Sequence, residues 1–115
     1  MNEKKLEVET LETAKSYAYN LTEGITTFID YIDRQNFDDA MNLLPAIVEG
    51  LEWFMQATYL TLSHQTKYLE YDNFKQYLND INEALQNNDI ILVKDIFEYE
   101  VNDKIKEWIQ FNFAN

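Results

Sequence analysis

Apolar residues recur every three or four positions through the first two segments of the chain. One register reads Leu11, Ala14, Ala18, Leu21, Ile25, Phe28 and Ile32; the next reads Phe37, Ala40, Leu44, Ile47, Leu51 and Phe54. Residues at this spacing share one stripe of an α-helix, so each segment carries a seam that is stable only when another helix covers it. Only Arg34-Gln35-Asn36 separates the two registers, which leaves room for nothing but a tight reversal. The pattern therefore predicts a long helical hairpin. Its first helix runs from near Leu6 to about Gln35, roughly 45 Å at the ordinary helical rise. Glu7, Glu9 and Glu12 suit the positive end of that helix dipole and Arg34 the negative end. The second helix is expected to be capped by Asn36, to carry Asp38 and Asp39 in its first turn, and to reach about His64. Pro45 falls inside it, and because the register continues across the proline, a kink near Met41 to Pro45 is expected and not a break.

The polar stretch from Ser63 to Tyr71 reads as loop or frayed helix. Asp72 or Asn73 then caps a third helix whose stripe is Phe74, Leu78, Ile81 and Leu85, with Tyr77 and Ala84 beside it. Asn87-Asn88-Asp89 is the strongest loop signal in the chain. A fourth helix follows from about Ile90 to Phe113, with Val93, Ile96, Phe97, Val101, Ile105, Trp108 and Phe111 as its apolar set. The second hairpin loosely echoes the first, since each turns at an Asn-containing tight loop and runs on to a tryptophan. The expected fold is all-α: an antiparallel four-helix bundle made of two helical hairpins, in a single domain spanning residues 1–115.

Composition supports that expectation and narrows function. The 115 residues hold two glycines and one proline, too few turn residues for a sandwich, a barrel or an α/β fold. Hydrophobic residues make up 46%, ample for a packed core. The formal charge of −12, from 21 acidic against 9 basic residues, repels phosphate backbones and anionic lipid heads. Neither nucleic acid nor a membrane surface is an expected partner. The most apolar window, Leu43 to Leu62, contains Glu49, Glu52 and Gln56, which argues against a membrane span. With no cysteine there is no disulfide framework, thiolate metal site or thiol nucleophile. Met1-Asn2-Glu3-Lys4-Lys5 leads into mixed acidic sequence unlike a secretory signal, so the expected location is the cytoplasm.

Chemistry-bearing patterns are sparse. Ferritin-like dimetal sites use two Glu-x-x-His pairs, whereas His64 is the sole histidine and has no glutamate three residues before it. A lone histidine near a helix end reads as a carbonyl cap, and no nucleophile or acid stands beside it in sequence. No catalytic residue, metal site or cofactor is expected. Glu100, one helical turn from Ile96 and Phe97, is expected to be at least half buried and bonded to a tyrosine hydroxyl or to Lys104. Gly24 and Gly50, each costly inside a helix, are expected to mark close packing of neighbouring elements.

Helix two carries the most suggestive surface. From Trp53 to Leu62 it places Trp53, Phe54, Met55, Ala57, Tyr59, Leu60 and Leu62 around nearly its whole circumference. A helix apolar all round is either central in its fold or covered by a partner. Trp53, Met55, Tyr59 and Leu62 are accordingly the expected partner-binding residues. The partner is another protein or a second copy forming a homodimer. The expected role is a non-enzymatic interaction module: an adaptor, chaperone or assembly factor. A different class is a small-ligand or regulatory module with an aromatic pocket between the hairpins, near Trp53, Tyr59 and Trp108.

The stretch Asn88-Asp89-Ile90-Ile91-Leu92-Val93-Lys94-Asp95-Ile96-Phe97-Glu98-Tyr99-Glu100, followed by Trp108, resembles a pattern in small uncharacterised bacterial helical proteins. Its core is an Asp-x-x-Glu-Tyr-Glu helix ahead of a tryptophan, within the last quarter of the chain. The resemblance implies no activity. The expected architecture is also similar to the short acidic helical bundles of flagellar-type export chaperones, a likeness of shape without their sequence motifs.

Overall fold

The computed structural model describes residues 2–113. It is all-α: α1 spans Asn2–Asp33, α2 Phe37–Leu60, α3 Tyr71–Gln86, α4 Ile90–Ile96 and α5 Asn102–Phe113. A 3₁₀ turn, Leu62–His64, follows α2, and a π-helical turn, Phe97–Val101, joins α4 to α5 so that residues 90–113 form one continuous helical run. At about 1.5 Å per residue, α1 is as long as the whole molecule, whose longest dimension is 49 Å.

The first register is buried at every position from Leu11 to Ile32. The second is buried from Ala40 to Phe54, but Phe37 stands exposed beside the turn. Gly24 faces Ile47 while Leu21 and Tyr17 face Gly50, so α2 doubles back along α1 in the opposite direction. A second line of contacts crosses from α1 to residues 90–113: Lys94 Nζ lies 2.8 Å from Asp33 Oδ1, the Phe28 and Phe97 rings meet at 5.4 Å, and Lys15 sits over the Phe113 ring. The first helix is thus shared, with α2 along one side and residues 90–113 along another, while α3 covers α4.

Both tight turns use the same backbone device. Asn36 N–H donates to Tyr31 C=O at 2.7 Å and Gln35 N–H to Ile32 C=O; Asp89 N–H donates to Ala84 C=O at 2.8 Å and Asn88 N–H to Leu85 C=O. These paired bonds are Schellman closures, which satisfy the last carbonyls of a helix by turning one residue left-handed. That residue is Gln35 (φ 63°) in the first turn and Asn88 (φ 57°) in the second.

Several helix ends differ from the sequence expectation. The first helix begins at Asn2, ahead of Leu6, because the Leu62–His64 turn packs against its start. His64 Nε2 lies 3.0 Å from Glu7 Oε2 and so bonds a carboxylate across the fold, not a helix-end carbonyl. The second helix stops at Leu60 instead of His64, where the Thr61 hydroxyl bonds back to Ala57 C=O at 2.8 Å and the Thr61 N–H turns to Thr58 C=O. Asn36 makes no side-chain cap. The third helix starts at Tyr71, before Asp72 and Asn73, whereas Asp89 Oδ1 does cap α4 by accepting from Leu92 N–H at 3.1 Å. Pro45 lies on the solvent face without ending α2, so the carbonyl it displaces can meet water.

The π turn answers a strain in the sequence. Val93, Phe97, Val101 and Ile105 follow one another at intervals of four, and all are fully buried. In an α-helix each such step overshoots a full turn by about 40°, so three steps would rotate the stripe by roughly 120°. One π turn accommodates an additional residue and restores about 100° of that drift. The register shift has two consequences. Glu100 is exposed instead of half buried, and Ile109 takes the buried place expected of Phe111, which stands exposed. The π turn also buries Asn102, only 6% exposed, whose side-chain oxygen has no hydrogen-bond partner.

Candidate functional site

The second half of α2 presents apolar side chains on two separate edges. On the edge beside α1, Trp53 is 38% exposed and rests on Tyr17 with ring centroids 4.8 Å apart. Gly50, one turn earlier, makes this approach feasible. A Cβ there would stand 2.8 Å from Leu21 Cδ2 and 3.1 Å from Tyr17 Cε1. Leu60 follows Trp53 by seven residues, two helical turns, and so falls on the same edge. It is 60% exposed, and with Leu6, Thr10 and Thr61 it lines a groove of about 270 Å³ rimmed by Glu3 and Glu7. Leu6 itself is 63% exposed. Leu6, Tyr17, Trp53 and Leu60 therefore line the α1–α2 seam.

The expected set of Trp53, Met55, Tyr59 and Leu62 does not form one patch. Trp53 lies on this seam, but Tyr59 stands on the other edge of α2, edge-on to Tyr71 at 5.6 Å and 62% exposed. Met55 is partly buried against the core, and Leu62 is half-buried in the 3₁₀ turn. Helical geometry separates them: residues two apart diverge by about 200°. Leu60 belongs to the apolar circumference of helix two but not to the expected binding set, and Leu6 and Tyr17 belong to neither. Leu60 was legible as a two-turn partner of Trp53. Leu6 and Tyr17 lie off the buried stripe of α1, and only the pairing of the two helices brings Tyr17 to Trp53 and Leu6 to Leu60.

The three rings of the expected aromatic pocket rest on different neighbours. Trp53 meets Tyr17 and Tyr59 meets Tyr71, while Trp108 is buried edge-on against Phe54 at 5.1 Å and Phe113 at 5.3 Å. Trp108 lines a cavity of only about 20 Å³, which includes neither of the other two.

The segment between α2 and α3 is held by a polar network. The Gln65 amide nitrogen donates to Thr58 C=O at 2.7 Å and to Thr61 Oγ1 at 3.1 Å, while its oxygen accepts from the Trp108 indole N–H at 3.0 Å. Asn112 accepts from the Thr66 and Lys67 N–H groups and donates to Lys67 C=O and Trp108 C=O. Lys67 pairs with Glu107 and lies over the Phe111 ring at 4.2 Å. This explains why a stretch without helical pattern is nonetheless fixed: its backbone groups bond to side chains of α5.

Burial pushes the Tyr71 hydroxyl above its ordinary value, partly opposed by Thr58. Burial also raises Tyr77, and the Glu100 carboxylate beside it adds to the effect. A hydrogen bond to Asp33 raises the Lys94 ammonium, and a hydrogen bond from Lys67 lowers the Glu107 carboxyl. Among the described residues, no group of three or more His, Cys, Asp or Glu side chains is placed to hold a metal ion. No described helix is long and apolar enough to cross a membrane. The family described as a domain of unknown function (DUF8042) matches residues 9–111, and the chain belongs to that family. No curated protein and no solved structure matches it.

Proposed function

We propose that this member of the DUF8042 family is a non-enzymatic protein–protein interaction module, an adaptor, chaperone or assembly factor working in the cytoplasm. Its scaffold in this reading is an antiparallel four-helix bundle of two hairpins, and its contact strip is the α1–α2 seam centred on Trp53. The observation that carries the reading is the alignment of Leu6, Trp53 and Leu60, all exposed, along one seam of a strongly acidic chain. Half-exposed aromatics anchored by a neighbour lose little side-chain freedom when a partner covers them, which is why they are enriched where proteins meet.

Charge decides the partner's character. Glu3 and Glu7 rim the Leu6–Leu60 groove, and Glu49 and Glu52 are exposed on α2. A segment with an apolar anchor flanked by lysines or arginines complements that surface, whereas a second copy brings its own charge of −12. The test is capture from native extract by the wild-type chain, by Trp53→Asp and by Leu60→Asp, with helicity followed by circular dichroism. A protein held by the wild type and lost by both folded variants supports the reading. Retention of the same proteins by both variants sinks it. Tyr59→Asp, on the other edge, is expected to keep the partner.

A further inference from the structure

On the far side of α1 from the Trp53 seam lies a second groove, formed where α1 meets α5. It measures about 400 Å³ and is lined by Tyr19 and Thr22 from α1 and by Lys106, Ile109, Gln110 and Phe113 from α5. That volume falls within the range of small-molecule sites. Ile109 is buried, Tyr19 and Phe113 contribute aromatic rings, and Thr22 spends its hydroxyl on Tyr19 C=O. The groove therefore has an apolar floor, two rings and one side-chain amide.

Its charge runs against that of the molecule. Lys106 lines the groove, and Lys15, one turn before Tyr19 on α1, holds its ammonium 4.7 Å from the centre of the Phe113 ring. Among the described residues, no carboxylate forms an ion pair with either lysine, although acidic residues outnumber basic ones by 21 to 9. The neighbouring Glu107 is occupied by Lys67, and Lys104 approaches Glu70 instead. Because α1 and residues 90–113 run in opposite directions, Lys15 lies at the Phe113 end and Lys106 seven residues away, about 10 Å along the groove.

We propose that this groove binds an aromatic carboxylate, its ring against Tyr19 and Phe113 over Ile109 and its carboxylate paired with Lys106 or Lys15. Aromatic walls favour a planar body over a flexible chain, and two ammonium groups that no carboxylate among the described residues pairs, Lys106 in the lining and Lys15 beside Phe113, favour an anion over a neutral or cationic ligand. Binding here is independent of the α1–α2 seam, since Tyr17 and Tyr19 project about 200° apart around α1.

The experiment uses 2-naphthoate as the probe and 2-naphthamide as its neutral counterpart, titrated into the full chain by calorimetry and by amide NMR. Saturable binding of 2-naphthoate, about tenfold tighter than the amide, is expected, with shifts concentrated in residues 15–22 and 106–113. Lys106→Gln and Lys15→Gln, both outside the buried core, should each weaken 2-naphthoate severalfold while leaving the amide unchanged. Equal affinity for the two probes, no saturation, or binding indifferent to both substitutions overturns the proposal. Trp53→Asp should bind 2-naphthoate as the wild type does, so failure of the interaction reading and failure of this one are separable.

Discussion

The Trp108 indole N–H donates to the Gln65 side-chain oxygen at 3.0 Å, joining the α2–α3 connector to α5 across 43 residues of sequence. Trp108 is buried, so its N–H has no ready substitute partner in water. Gln65 meanwhile donates to Thr58 C=O and Thr61 Oγ1 at the end of α2. One amide thus ties three parts of the chain together.

Gln65→Ala should lower stability by about 1–3 kcal/mol, since it strands a buried donor as well as removing hydrogen bonds. In the Trp108→Phe background the same substitution should cost less, because no indole N–H remains to be stranded. Urea unfolding of the two single variants and the double variant measures the coupling. Additive losses would show that Gln65 acts only through α2.

The two glycines should respond in opposite directions to alanine. A Cβ at Gly24 meets Ile47 Cγ1 at 3.7 Å, an ordinary contact, so Gly24→Ala should stabilise by about 0.5–1 kcal/mol through helix propensity. At Gly50 the added carbon would stand 2.8 Å from Leu21, which is buried, and 3.1 Å from the Tyr17 ring, which rests on Trp53. Overpacking of about 1–3 kcal/mol should outweigh the same propensity gain. Thermal melts of both variants decide it, and equal melting temperatures would contradict the packing at Gly50.

Gln35 holds a left-handed conformation that glycine adopts without steric cost. Gln35→Gly should therefore raise stability by up to about 1 kcal/mol, and Asn88→Gly by less, because asparagine tolerates this region better than glutamine. Gln35→Val should destabilise. Chemical denaturation of the three variants checks the order.

Stability should fall at alkaline pH. Tyr71 and Tyr77 are both raised above 10.0, chiefly by burial, so the folded chain holds these protons more tightly than the unfolded chain. Their contribution is complete below the unfolded tyrosine value and is lost as pH rises through the folded values. Tyr71→Phe and Tyr77→Phe should each flatten the loss above about pH 10. Melting temperatures from pH 8 to pH 11 provide the measurement, and parallel curves for wild type and variants would refute the assignment.

The sequence by itself determined the helices and most of the core. Every position of the register Leu11 to Ile32 is buried, as are Ala40 to Phe54, because a period near 3.6 leaves a helix only one face to hide. The reversals at 34–36 and 87–89 were equally legible, since chain continuity there permits little else. The connector was not, because its order comes from Gln65 bonding to Trp108 and from Asn112 of α5 bonding to the Thr66 and Lys67 backbone, and no local pattern encodes a partner 43 to 46 residues away. Glu100 and Phe111 stand exposed against expectation for a related reason. A reading that assumes 3.6 residues per turn throughout cannot anticipate a π turn, which forms because Val93, Phe97, Val101 and Ile105 must all reach one core. The candidate site divides along the same line. Periodicity marked the second half of α2 as apolar on too many sides, but only the packing of α1 against it put Trp53 on Tyr17, turned Met55 inward and sent Tyr59 to the opposite edge. Helical spacing fixes which residues share a face; which faces meet is decided by the neighbouring helix.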